Sequence, residues 1–342
     1  MPDHKHLALA LQGGGSHGAF TWGVLDRLLE EPLLDLDGFS GTSAGAMNAT
    51  VLAYGLHQGG AQHGRALARE LLDQFWYMVA DQARNSPLQP AWWDAWLGQG
   101  NMDYSPGYLL SEVTSIFFSP YQLNPLDLNP LRGILQEIVD FDSLRSCNAT
   151  QLFLAATNVR RGRVKVFTLP EISCDAVLAS ACLPYLFKAV TIDGEDYWDG
   201  GFMGNPPIFP LIDGTPGCDI LLVQINPINI ERTPQTAAEI RDRVNELSFN
   251  SSLMLEMRKV EFIDRMLDQG INPGDRFRKI FFHNINPETT LGPLNVSSKY
   301  NARWDFITHL RDLGRQYAHD WLEDNFDAIG ERSTTNLREM FL

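Results

Sequence analysis

"LALALQGGGSHGAF", residues 7–20, joins an apolar run to three consecutive glycines and then to a mixed segment. The apolar run predicts a β-strand over 6–11, and the segment AFTWGVLDRLLEE predicts a helix over 19–31. A glycine loop between a strand and a helix exposes backbone N–H groups, which suit a negative charge. That charge is either a cofactor's pyrophosphate or an oxyanion that exists only during a reaction. The dinucleotide pattern G-x-G-x-x-G is formed by Gly13, Gly15 and Gly18.

Short apolar runs alternate with longer mixed segments in the first part of the chain, which indicates repeated βα units. A second strand over 36–41 leads into a helix of small residues over 44–56. Further strands are predicted at 151–159, 164–169 and 219–226. Strands that alternate with helices predict an α/β fold, in which a mostly parallel sheet is covered on both faces.

One region interrupts this alternation. Residues 85–130 are rich in proline, asparagine and aromatic residues, and they predict an irregular insertion rather than sheet. Trp92 and Trp96 within it are four residues apart and share a helical face. This aromatic face either lines a cleft or lid for an acyl chain or packs inside the insertion.

The C-terminal third changes to a helical pattern. Long helices are predicted over 237–270 and 304–326, and no flexible linker precedes them. We therefore expect a main domain of residues 1–230, with residues 231–342 as a helical extension packed on it.

Composition limits the partners and the location. The chain has 342 residues, 44% of them hydrophobic, and a net charge of −15, which disfavours nucleic acid and allows at most peripheral membrane contact. No run reaches the roughly 20 apolar residues of a membrane-spanning helix, and the apolar run before Gln12 is too short for a signal peptide, so we expect a cytoplasmic protein. Four cysteines without a C-x-x-C pair predict buried thiols, and no metal or cofactor signature is present.

The segment FSGTSAGAMNA contains G-x-S-x-G, with Ser43 at its centre. A serine nucleophile stands on a strained turn between a strand and a helix, where Gly41 and Gly45 avoid Cβ collisions. The N–H of Ala44 then lies at a helix N-terminus, which favours negative charge. The pattern also fits a simple turn with a serine cap, but the predicted strand and helix on either side favour a nucleophile.

A serine nucleophile needs a base. His283 ends a strand-like segment and is conceivable, whereas the histidines within 304–326 fall in a helical pattern. The better candidate is Asp199, a carboxylate placed directly before Gly200 and Gly201. Taken alone, Asp-Gly-Gly also fits a hairpin turn.

Taken together and in this order, the glycine loop, the G-x-S-x-G turn and the D-G-G turn resemble the patatin-like phospholipase family. The segments VLASACLPYLFKAV (177–190) and ATNVRRGRVKVF (156–167) are similar to that family as well, and the resemblance covers roughly 5–227. It implies a three-layer α/β/α sandwich with the C-terminal helical extension of some bacterial members. It also implies a Ser–Asp dyad, here Ser43 and Asp199, in which the carboxylate takes the serine proton directly.

The resemblance further implies that the glycine loop forms an oxyanion hole together with the Ala44 N–H. One departure is His17, which stands where the family pattern G-G-G-x-[RK]-G has a cation. A neutral imidazole weakens the positive field there, whereas an imidazole that titrates near neutrality makes the hole stronger in acid. The loop donors implied by the resemblance are Gly13, Gly14 and Gly15. The residues expected to support the turns are Gly41, Gly45, Gly200 and Gly201.

The sequence therefore predicts a serine acyl hydrolase of phospholipase A type that acts on lipid or other carboxylic esters. A polyester or thioester hydrolase with the same dyad remains open, as does a silent relative that binds lipid or a partner. A nucleotide-binding oxidoreductase is the alternative from another class, since Asp35 and Asp37 fall near the place of a ribose-binding acid. That alternative leaves Ser43 and Asp199 without a role.

Overall fold

The structure is a computed structural model that describes residues 4–86, 88–90, 94, 100–148, 150–271 and 277–342. Its strands are β1 (Lys5–Leu11), β2 (Leu34–Gly41), β3 (Gln151–Asn158), β4 (Arg163–Thr168), β5 (Val190–Ile192), β6 (Glu195–Asp199), β7 (Asp219–Val223) and β8 (Phe281–Ile285). Its helices are α1 (Gly18–Leu28), α2 (Ala44–Ala83), α3 (Pro106–Phe117), α4 (Pro120–Leu123), α5 (Pro130–Ile138), α6 (Phe141–Arg145), α7 (Cys174–Ser180), α8 (Phe209–Gly214), α9 (Ala237–Asp268), α10 (Glu288–Leu291), α11 (Trp304–Asn325) and α12 (Leu337–Phe341).

In the described part of the chain, eight strands form one sheet in the order β5-β6-β3-β2-β1-β7-β8, with β4 paired to β3. The pairs among β3, β2, β1, β7 and β8 are parallel, whereas β4, β5 and β6 pair in an antiparallel direction. The predicted α/β fold with a mostly parallel sheet is confirmed. Because β1 and β2 are parallel neighbours, the glycine loop and the serine turn emerge side by side at their carboxyl ends.

The sequence of β1 explains why the two faces of the sheet differ. Side chains alternate along a strand, so the leucines of KHLALAL point to one face and the alanines to the other. On the leucine face, buried residues of α1, α2 and α11 complete the larger hydrophobic core. The small alanines on the opposite face leave room for α8, α9 and α12, which contribute Leu211, Leu253, Met257 and Phe341 to a second core. Helices thus cover both faces, as an α/β/α sandwich requires.

The C-terminal segment contains the two predicted long helices, α9 and α11, and also a strand. This strand, β8, pairs in parallel with β7 from Asp219↔Phe281 to Val223↔Ile285 and so extends the central sheet. The segment after residue 230 is therefore not helical throughout, because its apolar run FFHNI fills an edge of the sheet. The division of the chain at residue 230 stays a prediction.

The region 85–130, expected to be an irregular insertion rather than sheet, is partly irregular and partly helical in its described residues. Its described residues form α3 and α4, and they contain no strand. Prolines at the first positions of both helices explain their starts, since proline has the helical φ and needs no intrahelical donor there. Trp92 and Trp96 lie outside the described residues. Among the described helices, none combines the length and the apolar character that crossing a membrane requires.

Candidate active site

Ser43 occupies the turn between β2 and α2. Its backbone has φ 54° and ψ −123°, a conformation that residues other than glycine rarely adopt. A Cβ on Gly41 would lie 2.6 Å from the carbonyl oxygen of Gly45, and a Cβ on Gly45 would lie 2.1 Å from that of Leu11. Both glycines of the pattern are therefore required by close backbone approach. The turn has the geometry of a nucleophile elbow, with the serine at the head of a helix.

The glycine loop follows β1 and is held from both sides. The Gly13 N–H donates to Asn205 Oδ1 at 2.7 Å, and the Gly13 carbonyl accepts from Asn226 Nδ2 at 2.8 Å. The Gly13 N–H is therefore engaged inside the protein, contrary to its expected place among the oxyanion donors. Around the cavity, the N–H groups of Gly14, Gly15, Ser16 and Ala44 have no recorded acceptor among the described residues.

Asp199 ends β6 and is completely buried. Its Oδ1 accepts from the Gly201 N–H at 2.7 Å, while Oδ2 has no hydrogen-bond partner within the described residues. Burial raises the pKa of Asp199 to about 7, although the Gly201 N–H, the nearby Ser43 hydroxyl and the Lys299 ammonium act in the opposite direction. The site thus holds a buried carboxyl group close to Ser43, with one oxygen free to accept a proton.

The two glycines after Asp199 keep this turn compact. A Cβ on Gly200 would lie 2.2 Å from the carbonyl oxygen of Ala155, and a Cβ on Gly201 would lie 2.2 Å from the ring of Phe249. The D-G-G segment is therefore a 3₁₀ turn, Gly200–Phe202, packed beneath the site, rather than the tip of an exposed hairpin.

One cavity of about 240 Å³ brings these elements together. Ser43, Asp199, Gly14, Gly15 and Ala44 line its polar end. The rest of its wall is largely apolar, which suits a hydrocarbon chain. Apolar residues of this wall include Met47, Phe75, Trp76, Leu131, Leu186 and Phe249.

His17 is buried beneath the glycine loop. Its Nε2 lies 2.7 Å from Ser298 Oγ, and its ring is 6.5 Å from that of Phe306. Burial, with a smaller effect from the Lys299 ammonium, lowers the pKa of His17 to about 3. The imidazole is therefore neutral at physiological pH, and the expectation of a hole that strengthens in mild acid through His17 does not hold.

Lys299 is a cavity residue that sequence reasoning missed. It lies in a 3₁₀ turn, Val296–Tyr300, that contacts the glycine loop. No motif surrounds it in the sequence, so only the packing of the C-terminal segment brings it to the site.

His283, the conceivable alternative base, lies elsewhere. It sits within β8, where Nε2 is 3.0 Å from Asp219 Oδ1 and Nδ1 is 2.9 Å from Thr334 Oγ1. Its ring packs against Trp321 with centroids 5.6 Å apart, and it does not line the cavity that contains Ser43. Both ring nitrogens have partners, so His283 has a structural role in the core.

The dinucleotide alternative is not supported by the sheet. Asp35 pairs with His4, and Asp37 with His6, near the amino end of β2. The glycine loop leaves the carboxyl end of β1, about 17 Å along the strands from Asp35 and about 13 Å from Asp37 at 3.3 Å per residue. A ribose-binding acid belongs at the same end as the loop, so neither aspartate fits that role.

Residues 9–212 match the family model described as Patatin-like phospholipase. The match covers more than half of the chain and includes the glycine loop, the serine turn and the D-G-G turn. The chain therefore belongs to the patatin-like phospholipase family, a family of lipid-acyl hydrolases. Lys299 lies beyond the matched residues.

Two solved structures are also similar to the chain. VipD from Legionella pneumophila is 17% identical with a TM-score of 0.42, over 94% of this chain and 67% of VipD. ExoU, in the heterodimeric ExoU–SpcU complex of the Pseudomonas aeruginosa type III secretion system, is 16% identical with a TM-score of 0.40. That similarity covers 96% of this chain and 52% of ExoU, so the chain spans about half the length of ExoU. A search of curated protein sequences returned no match.

Proposed function

We propose that the protein is a serine acyl hydrolase in which Ser43 is the nucleophile and Asp199 is the base. The observation that carries this proposal is one shared cavity, where a serine in a strained backbone conformation faces a buried carboxylate with a free oxygen. An unperturbed aspartate with a pKa of about 3.9 is a poor base, whereas a buried one with a pKa of about 7 is suited to proton transfer near neutral pH.

The reaction begins when the Ser43 hydroxyl oxygen attacks the carbonyl carbon of the ester. Its proton moves to Asp199 Oδ2, and the carbonyl oxygen becomes an oxyanion. The unpartnered N–H groups of Gly14, Gly15 and Ala44 line the same cavity and donate to that oxyanion. The intermediate collapses as the alcohol leaves with the proton held by Asp199. Water then attacks the acyl-enzyme by the same path and releases the fatty acid.

The cavity wall supports a lipid acyl chain as the group transferred. Its aromatic and aliphatic side chains shield a hydrocarbon chain from water, at about 25 cal/mol for each Å² of apolar surface removed. Polyesters and thioesters present the same carbonyl group to Ser43, so chain length and leaving group are properties for assay.

An exposed apolar helix face near the cavity supports a substrate presented in a lipid aggregate. α3 has no buried residue, and the ring of Tyr108 within it contacts Tyr300, a cavity residue, at 5.9 Å between centroids. Apolar side chains recur three and four residues apart along α3, as on one face of an amphipathic helix. Its exposed apolar residues are Leu109, Leu110, Val113, Ile116 and Phe117. We propose that this face, named the α3 face, contacts the lipid surface during catalysis.

A fluorophosphonate probe tests the proposed nucleophile. We expect the probe to label the wild-type protein at Ser43, as located by peptide mass spectrometry, and to leave Ser43→Ala unlabelled. Hydrolysis of p-nitrophenyl esters and of phospholipid vesicles should be lost with it. Ser248→Ala, at an exposed serine of α9, is the matched control and should retain both labelling and turnover. Labelling that persists in Ser43→Ala would refute the assignment.

A further inference from the structure

Lys299 is a partly buried lysine that lines the cavity containing Ser43 and Asp199. Its Nζ donates to Asn226 Oδ1 at 2.6 Å, and no carboxylate lies within ion-pair distance of it in the described part of the chain. An ammonium group has three N–H donors, so donors remain for a group inside the cavity. A buried charge without a paired partner is costly, and an anion that enters the cavity therefore gains more there than in water.

Three contacts fix the Lys299 turn to the glycine loop. A Cβ on Gly15 would lie 2.5 Å from the Lys299 carbonyl oxygen, so the two backbones touch where Gly15 has a φ of 58°. Ser298 bonds the neutral His17, as described above. Asn226 links the Lys299 ammonium to the Gly13 carbonyl oxygen. The cation is thus positioned relative to the loop donors by backbone packing and by hydrogen bonds.

The negative charge near Lys299 moves from Asp199 to the substrate during the proposed reaction. Three carboxyl groups bear on the ammonium, those of Glu246, Asp242 and Asp199, while burial lowers its pKa. When Asp199 takes the serine proton it becomes neutral, and the negative charge moves to the oxyanion. The ammonium group of this cavity residue interacts electrostatically with Asp199, and it stabilises whichever negative charge lies closest to it.

We propose that Lys299 is the cationic member of the oxyanion hole and contacts the oxyanion of the tetrahedral intermediate. The inference rests on the proposed function, since it presupposes attack by Ser43. Lys299 keeps its proton throughout, and no bond to it forms or breaks. The cation thereby comes from the C-terminal segment, outside the residues that match the family, while the imidazole in the loop itself stays neutral.

Three substitutions separate the charge of Lys299 from its hydrogen bond. Lys299→Met removes both, Lys299→Gln keeps a donor for Asn226 without the charge, and Lys299→Arg keeps the charge. For p-nitrophenyl ester hydrolysis we expect Met and Gln to lower kcat by about 10²-fold, with KM changed less than about threefold, and Arg to stay within about tenfold. Phosphonylation of Ser43 should slow in the same order, because charge also develops on the phosphonyl oxygen.

The pH profile supplies a readout that a structural role would not move. The Lys299 ammonium lowers the pKa of Asp199, so Met and Gln should shift the rise of kcat/KM to higher pH, while Arg should not. Lys279→Met, at an exposed lysine paired with Asp268, is the control and should match the wild type. Circular dichroism and thermal melting establish that each variant folds.

Each outcome decides the inference. If Lys299→Gln retains the wild-type kcat and pH profile, Lys299 acts only through Asn226 and the inference is overturned. If Lys299→Gln and Lys299→Arg lower kcat/KM equally and both raise KM, Lys299 acts through side-chain packing, and the inference also fails. A wild-type protein that the fluorophosphonate labels away from Ser43 refutes the proposed function itself, a result visible before any Lys299 variant is compared.

Discussion

Asp199→Asn should remove activity and at the same time stabilise the protein above neutral pH. The carboxyl group is completely buried, and burial raises its pKa to about 7. In the unfolded chain the same group has a pKa of about 3.9. The unfolded state therefore loses this proton first, and the folded state loses stability as the pH rises from about 4 to about 7. Asparagine has no proton to lose, so it escapes this penalty.

The magnitude follows from the difference in pKa. The difference between a pKa of about 7 in the folded chain and about 3.9 in the unfolded chain corresponds to about 4 kcal/mol of destabilisation above pH 7. At about pH 5 the folded protein has lost only about 1 kcal/mol of this stability. The free energy of unfolding of Asp199→Asn, relative to the wild type, should therefore increase by about 3 kcal/mol between about pH 5 and about pH 8. This growth is independent of any constant cost of the substitution, such as a weaker bond from the Gly201 N–H.

Urea denaturation of both proteins at about pH 5, 6, 7 and 8 measures this difference in free energy of unfolding. In parallel, kcat/KM of the wild type should rise with an apparent pKa of about 7 and fall about tenfold per unit below it, because only ionised Asp199 accepts the serine proton. Asp213→Asn, at an exposed aspartate of α8, is the control and should leave both quantities unchanged. A free-energy difference that stays constant from pH 5 to pH 8 would refute the buried, neutral-range titration of Asp199.

Two further predictions concern groups outside the dyad. His283→Ala should keep p-nitrophenyl ester turnover within about threefold of the wild type while lowering the melting temperature, because it removes two buried hydrogen bonds worth about 1 kcal/mol each; loss of turnover comparable to Ser43→Ala would instead indicate a triad. The double variant Ile116→Asp, Phe117→Asp on the α3 face should lower hydrolysis of zwitterionic phospholipid vesicles by at least about tenfold, since each side chain contributes about 1.5–3 kcal/mol on leaving water. Hydrolysis of a short soluble p-nitrophenyl ester should be unchanged, and an equal loss on both substrates would contradict contact with a lipid surface.

The fold was predictable wherever its signal is local. The sequence indicates β1, β2 and the helices that follow them, because their apolar residues repeat every two residues in the strands and every 3.6 residues in the helices, on either side of glycine turns. The short strands β5 and β6 were missed, since three to five residues carry too little periodicity to indicate a strand. The sequence of β8 is strand-like, but its place beside β7 depends on a long-range pairing that no local pattern encodes.

The candidate site was predictable to the same degree. Ser43 and Asp199 were found because each lies in a short glycine pattern with a stereochemical cause. The groups that position the glycine loop, Asn205 and Asn226, were missed along with Lys299. An asparagine or lysine in a loop has no distinctive local pattern, and all three lie far along the chain from the glycine loop.

The sequence by itself determined the local backbone of this protein: a strand, a glycine loop and a helix, followed by a strand and a serine turn that only glycines on either side allow. The tertiary structure decided the electrostatics. Burial and the distances between remote segments set the pKa of Asp199 and the charge of His17. They also decide which cationic residue lines the cavity. Local sequence fixes steric limits on φ and ψ, but the desolvation that shifts a pKa exists only once the chain has folded around the group.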